Sequence, residues 1–148
     1  MKSKPDIVAA LIKNGANVRT KDTKSEFTPL IYAAMMENFD IVRILIDNGA
    51  DVNAFSYYGY TPLMFAARSN KELDIMLTLI EKGANVNASK DGMTPLMYAA
   101  RHNMEPEILQ TLIENGADPA VKDKSGKKAL DYVEENTFLK GKDYSFLR

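Results

Sequence analysis

Few residues in this 148-residue chain have the type or spacing for covalent chemistry. Cys is absent, which removes thiol nucleophiles, disulfides and thiolate metal sites. The single histidine, His102, cannot alone build a zinc site or a proton relay, and reads as a groove-facing or solvated side chain. Glu134 and Glu135 are sequence neighbours, so on a helix they diverge by about 100° and cannot face each other as acid and base. Ser125-Gly126-Lys127 lacks the preceding glycine and strand of a phosphate-cradling loop. Lys122, Lys124, Lys127 and Lys128 make one small basic loop, ordinarily solvated in a chain with 19 basic and 20 acidic residues. The expectation is a non-enzyme without cofactor or metal. What the chain does offer is non-covalent. Tyr32, Phe65, Tyr98 and Tyr132 recur at spacings of 33, 33 and 34. Three residues further on stand Met35, Arg68, Arg101 and Glu135, followed by Met36, Ser69, His102 and Asn136. The stretch Phe55-Ser56-Tyr57-Tyr58-Gly59-Tyr60 adds four more rings. Aromatic side chains and arginine are the residues enriched at binding hot spots.

Such a series requires a repeating frame, and the frame is explicit. Thr28-Pro29-Leu30-Ile31-Tyr32-Ala33-Ala34 returns from Thr61 and again from Thr94, every 33 residues. A Gly-Ala pair recurs at Gly15, Gly49, Gly83 and Gly116, spaced 34, 34 and 33. Two independent signatures with one period mean stacked units. Each threonine suits a helix N-cap, because its hydroxyl accepts from a free backbone N–H. The proline after it fits the first helical position, where no N–H is needed. A second helix follows, with apolar faces Ile41, Leu45; Ile75, Leu79; and Ile108, Leu112 at i, i+4 spacing. Asp40, Asp74 and Glu107 fall in its first turn, where the helix dipole favours a carboxylate. The repeated glycine then stops it in a left-handed conformation.

The unit resembles the ankyrin repeat. TPLIYAA, TPLMFAA and TPLMYAA match that family's opening, and LIDNGADVN and LIEKGANVN match its close. The resemblance covers nearly the whole chain and implies an all-α solenoid of stacked antiparallel helix pairs with loops projecting to one side. It is closest to bacterial-type members, because the third and fourth repeats carry one extra residue between their helices. It also implies that the ring series borders a concave groove and that Asn87, a formal glycosylation sequon with Ala88 and Ser89, is a buried loop residue. Two departures stand out. Ile31, Met64 and Met97 replace the family's histidine, and the fourth close, Gly116-Ala117-Asp118-Pro119-Ala120, loses its Val and Asn.

One domain, 1–148, is expected, divided as 1–27 (a partial first repeat, second helix and loop), 28–60, 61–93, 94–127 and a charged C-terminal capping repeat at 128–148. The missing first helix points to an upstream segment that has been removed, and predicts exposure of Ile31, Met35 or Met36 at that end. The functional expectation is a protein-binding module that uses groove and loop tips. Its candidate partner residues are Tyr57, Tyr58, Tyr60, Phe55, Arg68, Arg101, His102, Tyr32, Phe65 and Tyr98, with the ring series readable either as anchors or as inter-repeat packing. Two alternatives stay open: a regulatory or spacer segment docking on its own upstream domain, and an anionic small ligand gripped by Arg68, Arg101 and His102. The near-neutral charge argues against nucleic acid and anionic membrane as partners. A monomer is expected, with association possible through the N-terminal face. The cytoplasm is favoured, the periplasm if a signal peptide was removed.

Overall fold

The computed structural model describes residues 3–68 and 73–147. Among these, eight α-helices run in order: α1 (Lys4–Lys13), α2 (Pro29–Met35), α3 (Phe39–Asp47), α4 (Pro62–Arg68), α5 (Leu73–Glu81), α6 (Pro95–His102), α7 (Pro106–Glu114) and α8 (Ala129–Glu135). A 3-10 turn, Ser145–Leu147, closes the described chain.

The expected local chemistry is in place. Thr28, Thr61 and Thr94 accept from the amides of Ile31, Met64 and Met97 at 3.2, 3.2 and 3.4 Å. Pro29, Pro62 and Pro95 open the three helices behind them. Gly83 has φ +88, the left-handed stop that leaves a β-carbon strained. The extra residue of the fourth unit is absorbed inside a helix: α6 runs through His102, one residue longer than α2, and the three-residue link to α7 is unchanged in length from that between α2 and α3. The corresponding link of the third unit, 69–72, lies outside the described residues.

Helices α2, α4, α6 and α8 stack in one layer and α1, α3, α5 and α7 in a second. The inner layer packs more tightly along the stack than the outer one. The cause is visible in the sequence: Ala33-Ala34, Ala66-Ala67 and Ala99-Ala100 are all buried between inner helices, where a methyl group lets backbones approach. Closer spacing on one side bends the stack, so its concave face lies on the inner-helix and loop side. Leu30, Leu63, Leu79, Leu96, Leu109 and Leu112 are almost wholly buried between the layers.

Side-chain amides tie one unit to the next. Asn53 donates to the Gly83 carbonyl at 2.9 Å and accepts from the Asn85 amide at 2.8 Å. Asn87 does the same with Gly116 and Asp118, both at 2.8 Å. Asn87 is therefore exposed rather than buried, yet both ends of its amide are occupied, and this holds it in the ladder. At the first rung Arg19 replaces asparagine, its Nε donating to Gly49 at 2.8 Å. Ala120 has no polar side chain to continue the ladder; the fourth loop keeps only the local bond that all four loops make, Ala120 N–H donating to Asp118 at 2.8 Å as Asn53 N–H does to Asp51 at 2.9 Å. A second ladder caps the inner helices, Asn103 donating to Ala67 at 3.1 Å and Asn136 to Ala100 at 3.0 Å.

At the α1 end the predicted exposure holds for Met35 (41%) and Met36 (68%) but not for Ile31, which is fully buried like its counterparts Met64 and Met97. No residue of α1 is fully buried, and Ile7 and Leu11 face solvent.

Candidate binding groove

Each projecting loop is a short hairpin headed by a polar residue. The amides of Asp22, Ser56 and Asp123 donate to the carbonyls of Phe27, Tyr60 and Lys127, and Lys90 pairs with Met93 in an antiparallel bridge. Neighbouring hairpins touch: Tyr57 N–H donates to Ser25 at 2.8 Å and Lys124 N–H to Asp91 at 3.1 Å. At Gly92, φ +83, an added β-carbon would lie 2.6 Å from the Asp123 Cα, so only glycine permits this approach. The equivalent left-handed position of the first hairpin holds Glu26, at φ +53.

The residue after each hairpin tip falls beside the inner helices. Phe27 and Tyr60 both take this place, directly before Thr28 and Thr61, and each inserts between rings of the tyrosine series. The result is continuous. Phe27 meets Tyr32 at 5.2 Å between centroids and Phe65 at 5.6 Å, both edge to face. Tyr60 meets Phe65 at 5.3 Å and Tyr98 at 5.4 Å. His102, one turn beyond Tyr98, stacks on it at 6.4 Å. These distances fall in the range where ring pairs attract beyond their buried area. The series is thus partly inter-repeat packing, since Phe65, Tyr60 and Tyr98 are only half-buried and still present ring surface, while Tyr32 stays 40% exposed.

Both outermost phenols are anchored. Tyr32 donates to Asp22 at 3.2 Å, and Tyr132 donates to Asp123. Asp22 also accepts from the Ser25 hydroxyl and from the Ser25, Lys24 and Phe27 amides, which hold its carboxyl well below the usual range, the Ser25 hydroxyl most of all. Tyr132 is buried, and burial together with Asp123 pushes its phenol up to about 12. Burial, and then a hydrogen bond with Tyr60, also raises the Tyr98 phenol, so both remain protonated donors.

Arg68 and Arg101 lie in the last turns of α4 and α6, on the exposed rim of this row. The Arg101 guanidinium lies 5.8 Å over the Tyr132 ring. Arg68 shares a recess of about 310 Å³ with Met35, Glu37 and Phe65. Burial, then Arg68 and Arg101, lower the pKa of His102, which keeps it neutral at neutral pH. Ser69, the counterpart of His102, lies outside the described residues.

Of the loop rings, only Tyr60 joins the groove row. Tyr57 and Tyr58 pair with each other at 5.2 Å and are 65% and 59% exposed. Phe55 is exposed beside them, its carbonyl accepting from Lys21 at 2.9 Å. Phe27 carries no signature in the ring spacing; its signal is its place before Thr28, 33 residues ahead of Tyr60. Among the described residues no group of three or more His, Asp or Glu is arranged to hold a metal ion. No helix described is long and apolar enough to cross a membrane.

A family model for ankyrin repeats in three copies matches residues 1–90 and 58–123. No curated protein matches the chain.

Proposed function

Since the chain belongs to the ankyrin-repeat family, whose members are generally protein-binding modules, we propose that it holds another protein in its concave groove, without catalysis. One observation carries this reading: a continuous row of six rings, with two arginines on its rim, lies along the concave face and remains partly open to solvent. Stacking of helix pairs needs the alanines and leucines beneath, not exposed ring faces above. The row is also pre-organised. The Tyr32–Asp22 bond at one end, the edge-to-face ring contacts and the asparagine ladders fix the rings before a partner arrives, which reduces the entropy lost on binding. Tyr57, Tyr58 and Phe55 at the loop tip extend this surface beyond the groove.

A second reading has its own support. A recess of about 440 Å³ between α1, α2 and α3 is lined by Val8, Ala33, Met36, Ile41 and Leu45, and it fits docking through the α1 end, as a spacer or regulatory segment would use. Photo-crosslinking separates the two. A benzophenone amino acid placed at Phe65 or Tyr98 should capture the same protein from source lysate, while Arg43 and Gln110 on the outer helices should capture none. Capture from Met36 alone would favour the second reading, and capture chiefly from Gln110 would contradict both.

A further inference from the structure

We propose that the segment held in this groove is an acidic peptide carrying an aromatic or large apolar residue between its carboxylates; the proposal rests on the groove reading above. Lys21, Lys124 and Lys127 each sit on a carboxylate of this chain, at 3.1, 2.6 and 2.5 Å. Arg68 and Arg101 form no such pair among the described residues, although both lie on the groove rim one unit apart. Arg101 rests on a ring, which orients its fork of donors and leaves them for an outside acceptor.

Among the described residues, the acidic groups that face this region are few and mostly occupied. Asp22 and Asp123 are consumed by hairpin amides and by the two phenols. Glu135 is held by Lys127. Among the described residues, Glu37 is the one carboxylate lining the Arg68 recess, and it is not free. His102, between the arginines, stays neutral and adds a flat ring rather than a third charge. The centre of the groove is therefore positive at two points, with ring faces between them. Guanidinium groups bind carboxylates bidentately, and ring faces take an aromatic or apolar side chain. Two arginines are too few for a nucleic-acid backbone, whose affinity is built from many phosphate contacts.

Panning a phage library of random dodecamers on the full chain tests the idea. Recovered peptides should be enriched in Asp and Glu around Phe, Tyr, Trp or Leu. A synthetic copy of the best one should bind at least about tenfold more weakly to Arg68→Glu/Arg101→Glu, and more weakly at high salt. Circular dichroism of the variant confirms that it folds. Peptides without acidic enrichment that nonetheless lose affinity on Tyr98→Ala would overturn the acidic partner and leave the groove reading standing. Acidic peptides that bind the charge-reversed variant as well as wild type would also overturn the proposal. So would recovery of no peptide, or of peptides indifferent to both variants, and that result would remove the groove reading with it. Equal competition by inorganic phosphate at similar concentration would assign the arginines to a small anion instead.

Discussion

Tyr57–Tyr58 and Tyr60–Tyr98 are built from the same side chain and lie within one hairpin's reach of each other, yet they belong to different structures. The rings of the first pair pack on each other and are mostly exposed at the loop tip. The second is half-buried, hydrogen-bonded and continuous with Phe65, Phe27 and His102. Place within the period decides the difference. A ring directly before the capping threonine swings onto the inner helices, whereas rings two or three residues earlier are carried out on the hairpin. Residue type names a candidate; register says whether it is frame, surface or both.

This contrast can be attacked from its foundation upward. Leu79→Ala, in the frame that both pairs stand on, should lose about 2–5 kcal/mol in urea unfolding, and a loss below about 1 kcal/mol would mean Leu79 is not core. Gly92→Ala should cost about 1–3 kcal/mol, because it forces a β-carbon against the Asp123 backbone at positive φ. Gly126→Ala, at φ +79 but with nothing within 4 Å of the added carbon, should cost less, so equal melting points for the two would deny that hairpin contact matters. Tyr98→Ala should lose about 1–2 kcal/mol through its ring contacts, measured by thermal melting. Tyr58→Ala should change stability by under about 0.5 kcal/mol while weakening partner binding by about 1–3 kcal/mol. If the two tyrosine variants melt alike, the distinction between row and tip fails.

Acid supplies the finest test. The pKa of His102 is lowered by burial and by Arg68 and Arg101, so the folded chain binds its proton less readily than the unfolded chain. Its favourable share is intact above about pH 6.5 and is lost as pH falls through that value toward the depressed one. Wild type should therefore lose more melting temperature than His102→Gln between about pH 7.5 and pH 5. Identical slopes would mean that neither burial nor the two guanidinium groups act on His102.

Much of this was readable before any coordinates. The threonine caps, the proline starts, the glycine stops and the leucine faces follow from local rules, and Thr28, Gly83 and Leu79 behave as those rules require. Asn87 departs from the buried place that the resemblance implies, because an asparagine that bridges two loops can be fully engaged while exposed. Phe27 and the Arg19 rung carry no such local signature. Both act across a unit boundary, where the partner is some thirty residues away and no local pattern marks it. Tyr60 could not be told from Tyr57 by composition, since the hairpin geometry that separates them is set by the hydrogen bonds of Ser56.

The central claim is that the concave row is the surface a partner occupies. Hydrogen–deuterium exchange on the complex with the crosslinked partner tests it most directly. Exchange should slow along α2, α4, α6 and the hairpins before Thr61 and Thr94, with α3, α5 and α7 unchanged. Protection confined to the outer helices, or to α1 and the recess beside Met36, would contradict it.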